Sequence, residues 1–240
     1  MRADKFLAAH GYYESRAKAR AAIDAELVSA DGVAVLKPSQ ILSIDMMIEA
    51  SSPHPWVSRA GVKLAYALDV FNVNPKGLTC LDVGSSTGGF TDVLLAGGAA
   101  KVYAVDVGTD QLHERIRSHK NVVSMEQTDS RNLTAADFES PPSIIVCDVS
   151  FISCTKALDV PLRLAANSAQ LITLVKPQFE VGRDGVGKGG IVRDQALAKD
   201  AVVRVKKWLS TQGWHVQGQD ISPIKGGSGN AEYLLYARRN

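Results

Sequence analysis

Cysteine is scarce in this 240-residue chain: Cys80, Cys147 and Cys154 are scattered, odd in number and form no C-x-x-C pair. That excludes a disulfide framework, and no Cys/His spacing fits a zinc site, so the three read as small core hydrophobes in a reducing compartment. The five histidines form no ligand cluster either, and no metal is expected. No apolar run approaches the ~20 residues of a membrane helix. The opening Met1-Arg-Ala-Asp-Lys does not start a signal peptide, which makes a cytoplasmic protein the expectation. An excess of charge is missing as well. Lys and Arg number 27 against 25 acids, so any basic surface must be local. No internal repeat is present. With 45% hydrophobic residues, the length suits one large domain and a small one.

Two further absences sit in the most informative stretch, Leu81-Asp-Val-Gly-Ser-Ser-Thr-Gly-Gly-Phe90. It reads as a buried strand breaking into a glycine turn and then a helix, with Asp82 at the strand's carboxyl end, where open α/β sheets bind ligands. A dinucleotide fingerprint needs a middle glycine where Ser86 stands, and a P-loop needs a lysine where Phe90 stands. What remains is D-x-G-x-x-x-G-G, which resembles the S-adenosyl-L-methionine loop of class I methyltransferases; the plain alternative is an ordinary strand-turn-helix. A second glycine stretch, Gly182 to Lys188, has Gly189 where a P-loop needs Ser or Thr, and reads better as a lid over substrate.

In chain order, residues 1–50 form a compact unit of two short helices (Ala3 to His10, Ser15 to Ala25) and a hairpin turning at Asp31-Gly32. Residues 51–57, with Pro53 and Pro55, read as a linker, and 58–240 as the large domain. Ser58 is placed to cap a helix from Arg59 to about Phe71. From Leu78 strands and helices alternate, the pattern of a doubly wound α/β domain: strands at 79–83, 101–106, 121–125, 143–148 and 170–176, a long helix at 194–212, and last strands at 214–221 and 232–238.

The first unit carries Arg2, Lys5, Arg16, Lys18, Arg20 and Lys37 against seven acids, and the cluster Arg16, Lys18 and Arg20 on its own reads as a solvated helix face. The pattern Arg2-x-Asp4-x-Phe-Leu7, Ser15-Arg16-x-x-Ala19-x-x-x-Ile23 and Leu27-Val28 before Asp31-Gly32 resembles the S4 RNA-binding fold, with Ala25 departing from its usual glycine. The resemblance implies that Arg2, Lys5, Arg16, Lys18 and Arg20 meet structured RNA through phosphate and shape contacts.

Polar residues close successive strands: Asp82, Asp106, Asp129, Asp148 and Lys176. Methyltransferases of the resembled class bind cofactor ribose with the acid ending the second strand, here Asp106, and the adenine amine with the acid after the third, here Asp129; Asp-Ser turns also place such acids for local reasons. Gly84, Ser85, Ser86, Thr87, Gly88, Gly89, Phe90 and Val107 complete the implied cofactor set. The order Lys63, Asp148, Lys176, Glu232 is similar to the catalytic tetrad of FtsJ-type RNA ribose 2′-O-methyltransferases. Together with Trp56-Val-Ser-Arg-Ala-Gly-Val-Lys63, Asp148-Val-Ser-Phe-Ile152, Val175-Lys-Pro-Gln-Phe-Glu180 and Gly226 to Glu232, the whole chain resembles the TlyA, or haemolysin A, family.

That resemblance implies a class I, Rossmann-like domain: a mostly parallel seven-stranded sheet with an antiparallel last strand, preceded by a small α+β S4 domain. It implies methylation of a cytidine ribose in ribosomal RNA. Lys176 is then the general base, Lys63 steers phosphate or stabilises the developing oxyanion, Asp148 and Glu232 orient the lysines, and Arg59 adds an RNA contact. A lysine base must be neutral, which means lowering its pKa from ~10.4 to about 7–8 at a cost near 4 kcal/mol. Burial and neighbouring positive charge act in that direction, and the two acids oppose it. A non-catalytic RNA-binding protein that senses cofactor and a membrane-active haemolysin are the competing classes. The ribosomal subunit as partner, a monomer, and, from the chain's short form, a large-subunit target are further expectations.

Overall fold

The computed structural model describes residues 1–52 and 54–239. It divides into two compact units, Met1–Pro55 and Trp56–Asn240. The expected linker is thus shared between them, and its Pro53 lies outside the described residues.

In the first unit, α1 (Ala3–Ala9) and α2 (Arg16–Asp24) pack on a three-stranded sheet. The strands β1 (Val28–Ala30), β2 (Val33–Ala34) and β3 (Ile48–Ala50) lie in the order β2-β1-β3, all antiparallel. Ala30 pairs with Val33, so Asp31-Gly32 is a two-residue hairpin turn. Ser15 caps α2 by accepting from the Lys18 backbone N–H. Helical spacing puts Phe6, Leu7, Ala19, Ala22 and Ile23 inward, where they meet Val28, Val35 and Leu42.

One acid is buried in that small core. Asp4 accepts from Arg16 at 2.7 Å and from Arg2 at 3.1 Å, and both guanidiniums are half exposed. The Arg16 and then the Arg2 hydrogen bonds hold the Asp4 carboxyl down at about 2. A folded value below the unfolded one contributes stability above about pH 4 that is lost as pH falls through about 2. Asp4→Asn is therefore expected to raise hydrogen exchange across α1 and α2 at neutral pH and to remove its rise between pH 4 and 2. Unchanged exchange would sink the assignment.

The second unit opens with α3 (Ala60–Val70) and builds one sheet. Its strands are β4 (Thr79–Val83), β5 (Lys101–Val105), β6 (Val122–Met125), β7 (Ile144–Cys147), β8 (Gln170–Val175), β9 (Trp214–Ile221) and β10 (Tyr233–Arg239). The order is β6-β5-β4-β7-β8-β10-β9, with β10 antiparallel to both neighbours and β4 to β8 mutually parallel. This is the expected seven-stranded Rossmann-like sheet with an antiparallel last strand.

Helices cover both faces, which is why the central strands are apolar throughout rather than alternating. Leu81, Val83, Ile145, Cys147, Leu171 and Val175 face α6 (Cys154–Leu164) and α8 (Gln195–Thr211). Cys80, Val102, Ile144, Val146 and Ile172 face α3 and α4 (Gly89–Ala96). The short helices α5 (Glu114–Arg117) and α7 (Pro177–Glu180) lie on connections. Helix α6 forms although Pro161 lies inside it. Proline cannot donate to the carbonyl four residues back, and the buried Ser130 hydroxyl donates to that Ala157 carbonyl instead, at 2.8 Å.

All three cysteines are free and buried, and burial pushes the Cys80 and Cys147 thiols up to about 12. Among the described residues no helix is long and apolar enough to cross a membrane, and no three His, Cys, Asp or Glu side chains group to hold a metal.

Candidate active site

The turn after β4 is shaped by close approaches. Gly84 has φ +82, and a Cβ there would stand 2.9 Å from Val149 Cγ1 and 3.1 Å from the Asp148 carbonyl. Gly89 opens α4 against Ser58, whose Oγ would lie 2.2 Å from a Cβ at that position. Ser86, in place of a middle glycine, nevertheless takes φ +45. Its N–H donates to Asp106 Oδ2 at 2.8 Å, while Gly108 N–H donates to Oδ1 at 2.7 Å, so the acid after β5 holds the loop after β4.

This loop borders a cavity of about 160 Å³ lined by Ser58, Ser85, Ser86, Phe90, Asp148 and Lys176, with Gly84 and Thr87 beside them. Ser58 does not cap α3 as expected. Arg59 takes the cap position without a side-chain bond, and the Ser58 hydroxyl is buried with no partner. The Ser85 hydroxyl is likewise buried and unpartnered. Buried polar groups are ordinarily hydrogen-bonded, so two orphan hydroxyls on one cavity mark it as built for a polar ligand.

Asp82 lies behind the loop rather than on the cavity wall. It is fully buried, its Oδ2 accepts from the Thr91 hydroxyl at 2.7 Å, and its Oδ1 has no partner. Burial pushes its carboxyl up to about 7, the Thr91 hydrogen bond opposing and the Asp148 and Asp106 charges adding to the rise. The folded value exceeds the unfolded one, so this group's contribution to stability is full below about pH 4 and is lost as pH rises to about 7. Asp82→Asn is expected to flatten that decline and to stabilise the ligand-free protein at pH 8 by on the order of 3 kcal/mol. Urea titrations at pH 5 and 8 measure it, and equal slopes for wild type and variant would refute it.

Asp129 is farther from such a role than its position suggests. Both its carboxylate oxygens accept from Arg131, and the backbone N–H of Arg131 also bonds Oδ1. These contacts hold its carboxyl below the usual range. Val107 is 72% exposed.

The four residues expected as a tetrad converge. Lys63 Nζ lies 2.6 Å from Glu232 Oε2 and 3.5 Å from Asp148 Oδ2, and Lys176 Nζ lies 2.6 Å from Asp148 Oδ1 and 2.9 Å from Ser150 Oγ. Lys63, Lys176 and Glu232 are buried, and the Asp148 side chain is 11% exposed. Two ammoniums and two carboxylates compensate one another, the condition under which charges tolerate burial. The sheet assembles them. Tyr233 of β10 pairs with Val175 of β8, so one step further Glu232 and Lys176 flank the same strand ends, while Asp148 follows β7 and Lys63 projects from α3. Gly226 leaves room for Glu232, whose Oε1 would lie 2.4 Å from a Cβ there.

A second cavity, about 430 Å³, is lined by Arg59, Lys63, Lys176 and Glu232 together with Phe151, Gln178 and Phe179. Lys176 and Ser150 border both cavities. Phe151 is 92% exposed and held at φ +67, its ring 5.4 Å from that of Phe179. The glycine stretch expected as a lid borders this cavity through Val186, as does Gly190 just beyond it, and Asn230 bonds the Val192 N–H and the Gly190 carbonyl. Ser150, Phe151, Gln178 and Phe179 carry no predicted role, and Ser58 was expected only as a helix cap; their signal was their place inside the motifs around the tetrad. In the first unit Lys5 and Arg20 are exposed, Arg2 and Arg16 hold Asp4, and Lys18 bonds Glu14.

Residues 56–239 match the model of the FtsJ-like methyltransferases, and residues 1–48 match the S4 domain. The chain belongs to the FtsJ-like methyltransferase family. Within it, the chain is 41% identical over 239 residues to the Mycobacterium tuberculosis 16S/23S rRNA (cytidine-2′-O)-methyltransferase TlyA, covering 99% of this chain and 89% of that protein. It is also 41% identical to Hemolysin A of Brachyspira hyodysenteriae, covering 98% and 99%. A solved Streptococcus thermophilus protein with a provisional hemolysin name superposes with a TM-score of 0.79 at 38% identity, over 100% of this chain and 88% of that one. This FtsJ-like methyltransferase is thus an S4-containing member of the TlyA group.

Proposed function

We propose that this protein transfers a methyl group from S-adenosyl-L-methionine to the 2′-oxygen of a cytidine ribose in ribosomal RNA. One observation carries the reading: Lys176 stands where the two cavities meet, so a single amine borders both a polar recess at the glycine loop and an open cleft lined with cations and aromatics. The TlyA relative, named for cytidine 2′-O-methylation of 16S and 23S rRNA, supports the substrate class.

The residues present fit the cofactor. The orphan hydroxyls of Ser58 and Ser85 and the backbone of Gly84 to Thr87 would hold its polar end, and Asp106, which keeps lone pairs beyond its two backbone bonds, would receive ribose hydroxyls. Bound there, S-adenosylmethionine supplies an electrophilic methyl on a sulfonium. Lys176 Nζ, as the neutral amine, accepts the proton of the attacking 2′-hydroxyl and becomes the ammonium that pairs with Asp148, which also aims it. Lys63, anchored by Glu232, stabilises charge on the oxygen or a neighbouring phosphate. Arg59 at the rim contacts the RNA backbone, and exposed Phe151 offers a face on which an unstacked base can lie. The S4 unit docks the enzyme on structured RNA through Lys5, Lys18 and Arg20 and through the N–H groups that Arg2 and Arg16 have beyond their ion pairs.

The test is incubation of the purified protein with methyl-labelled cofactor and separated ribosomal subunits. Label is expected in RNA as an alkali-stable dinucleotide, because 2′-O-methylation removes the hydroxyl that alkaline cleavage needs. Absence of transfer to either subunit would refute the proposal.

A further inference from the structure

A third cavity, about 550 Å³, adjoins the cleft and is lined by Phe151, Ile152, Lys156, Gln178 and Phe179. It shares Phe151, Gln178, Phe179 and Val186 with the cleft that holds the tetrad, so the two recesses meet along one largely aromatic ridge. Lys176 and Asp148 do not border it.

The ridge is held in place. Phe151 stands at φ +67, a left-handed conformation that non-glycine residues keep only where neighbours impose it. Both flanks are fastened: Ser150 Oγ accepts from Lys176 Nζ at 2.9 Å, and Glu180 accepts from the Ser153 hydroxyl at 2.7 Å and from the Cys154 N–H at 2.8 Å. A backbone held on both sides thereby presents an aromatic side chain, 92% in solvent, between two recesses. At the shared boundary the Gln178 Oε1 is buried with no hydrogen-bond partner. Buried acceptors are seldom left open, and an amide offers a donor and an acceptor in either orientation, which matches the edge of a nucleobase. Lys156 is exposed at the outer wall, where it adds a cation.

We propose that this third cavity is a second nucleotide subsite, holding the residue that adjoins the methylated one in the RNA chain. The inference rests on the proposed RNA methyltransferase activity. A polymeric substrate must leave the reaction cleft on both sides of the target nucleotide, and a recess sharing a wall with that cleft receives the neighbour. The ridge supplies a stacking face, Gln178 a base-edge partner and Lys156 a phosphate contact. Single-stranded nucleotides are held by this combination of aromatic face and positive charge.

The experiment uses the full-length protein and ribosomal subunits. Gln178→Leu and Lys156→Ala are each expected to raise KM for the methylated subunit about tenfold, with much smaller change in kcat and unaltered cofactor affinity. Once the methylated position is mapped, a synthetic RNA with an abasic residue on one flank should cost the wild type about tenfold in KM and cost Gln178→Leu nothing further. Lys156→Ala, at an exposed position, keeps the test valid should Gln178→Leu fail to fold. Wild-type KM in Lys156→Ala and in a folded Gln178→Leu, or abasic flanks without effect on wild type, overturns the subsite and leaves the activity standing. Failure of the wild-type protein to methylate any RNA overturns both.

Discussion

Lys176→Ala is expected to lower single-turnover methyl transfer by ~10²–10⁴-fold, the range spanned by positioned general acids and bases. Cofactor binding should survive, because the glycine loop, Ser58 and Asp106 are untouched. The more decisive variant is Lys176→Arg. A guanidinium keeps the positive charge and the ion pair with Asp148 but cannot give up its proton in a protein. If Lys176 removes the 2′-hydroxyl proton, Lys176→Arg is as slow as Lys176→Ala. If its part is only to hold charge beside the oxygen, arginine restores much of the rate. Rapid-quench assays with saturating cofactor separate the two, and near-wild-type turnover by Lys176→Arg would eliminate the base assignment while leaving the transferase reading intact.

The second large effect is on stability. Asp148 pairs with both buried lysines, at 2.6 Å to Lys176 and 3.5 Å to Lys63. In Asp148→Ala, Lys63 still has Glu232, but Lys176 is left with a serine hydroxyl. Removing one partner of a buried pair costs about 3–5 kcal/mol, because the remaining charge is uncompensated. In a domain of this size that lowers Tm by roughly 6–20 °C. The three tryptophans, Trp56, Trp208 and Trp214, all belong to the second unit, so tryptophan fluorescence reports on it alone. Asp148→Ala combined with Lys176→Met should regain most of the loss while remaining inactive, since the stranded charge is gone and the volume is kept. Equal instability of the single and double variants would show that Asp148 stabilises through something other than its ion pairs.

The tetrad, the glycine loop and the stretch behind Phe151 were legible to different degrees. Lys63, Asp148, Lys176 and Glu232 could be chosen because strand ends in an open α/β sheet project to one edge, and their order matched a known pattern. Who pairs with whom could not be read. That depends on the register of β10 against β8, which brings Glu232 and Lys176 to the same end from opposite directions and leaves Asp148 between the two amines. Asp106 and Asp129 both follow strands, and the sequence marked Asp129 as the one that an Asp-Ser turn could explain locally. Arg131, two residues away, occupies both oxygens of Asp129, whereas Asp106 bonds the loop after β4.

Local elements failed where tertiary contacts overrode local signals. Helix α6 was hidden by Pro161, whose missing donor is replaced by Ser130 from a remote turn. The three-residue β3 has no buried residue to mark it, and it exists because β1 offers it an edge. Ser58 had the look of a helix cap and became a buried hydroxyl on a cavity, because Gly89 admits it against α4.

By itself, then, the sequence determined the two-unit organisation, the alternation of strands and helices and the residue types at the sheet edge, since these follow from periodicity, turn chemistry and chain order, while the seven-stranded topology was legible only through the resemblance to a known family. Tertiary structure alone decided which charges neutralise each other, which polar atoms are buried without a partner, and that Phe151 is held outward between two recesses. Those properties depend on distances between segments far apart in the chain, and burial gives each of them its energetic weight.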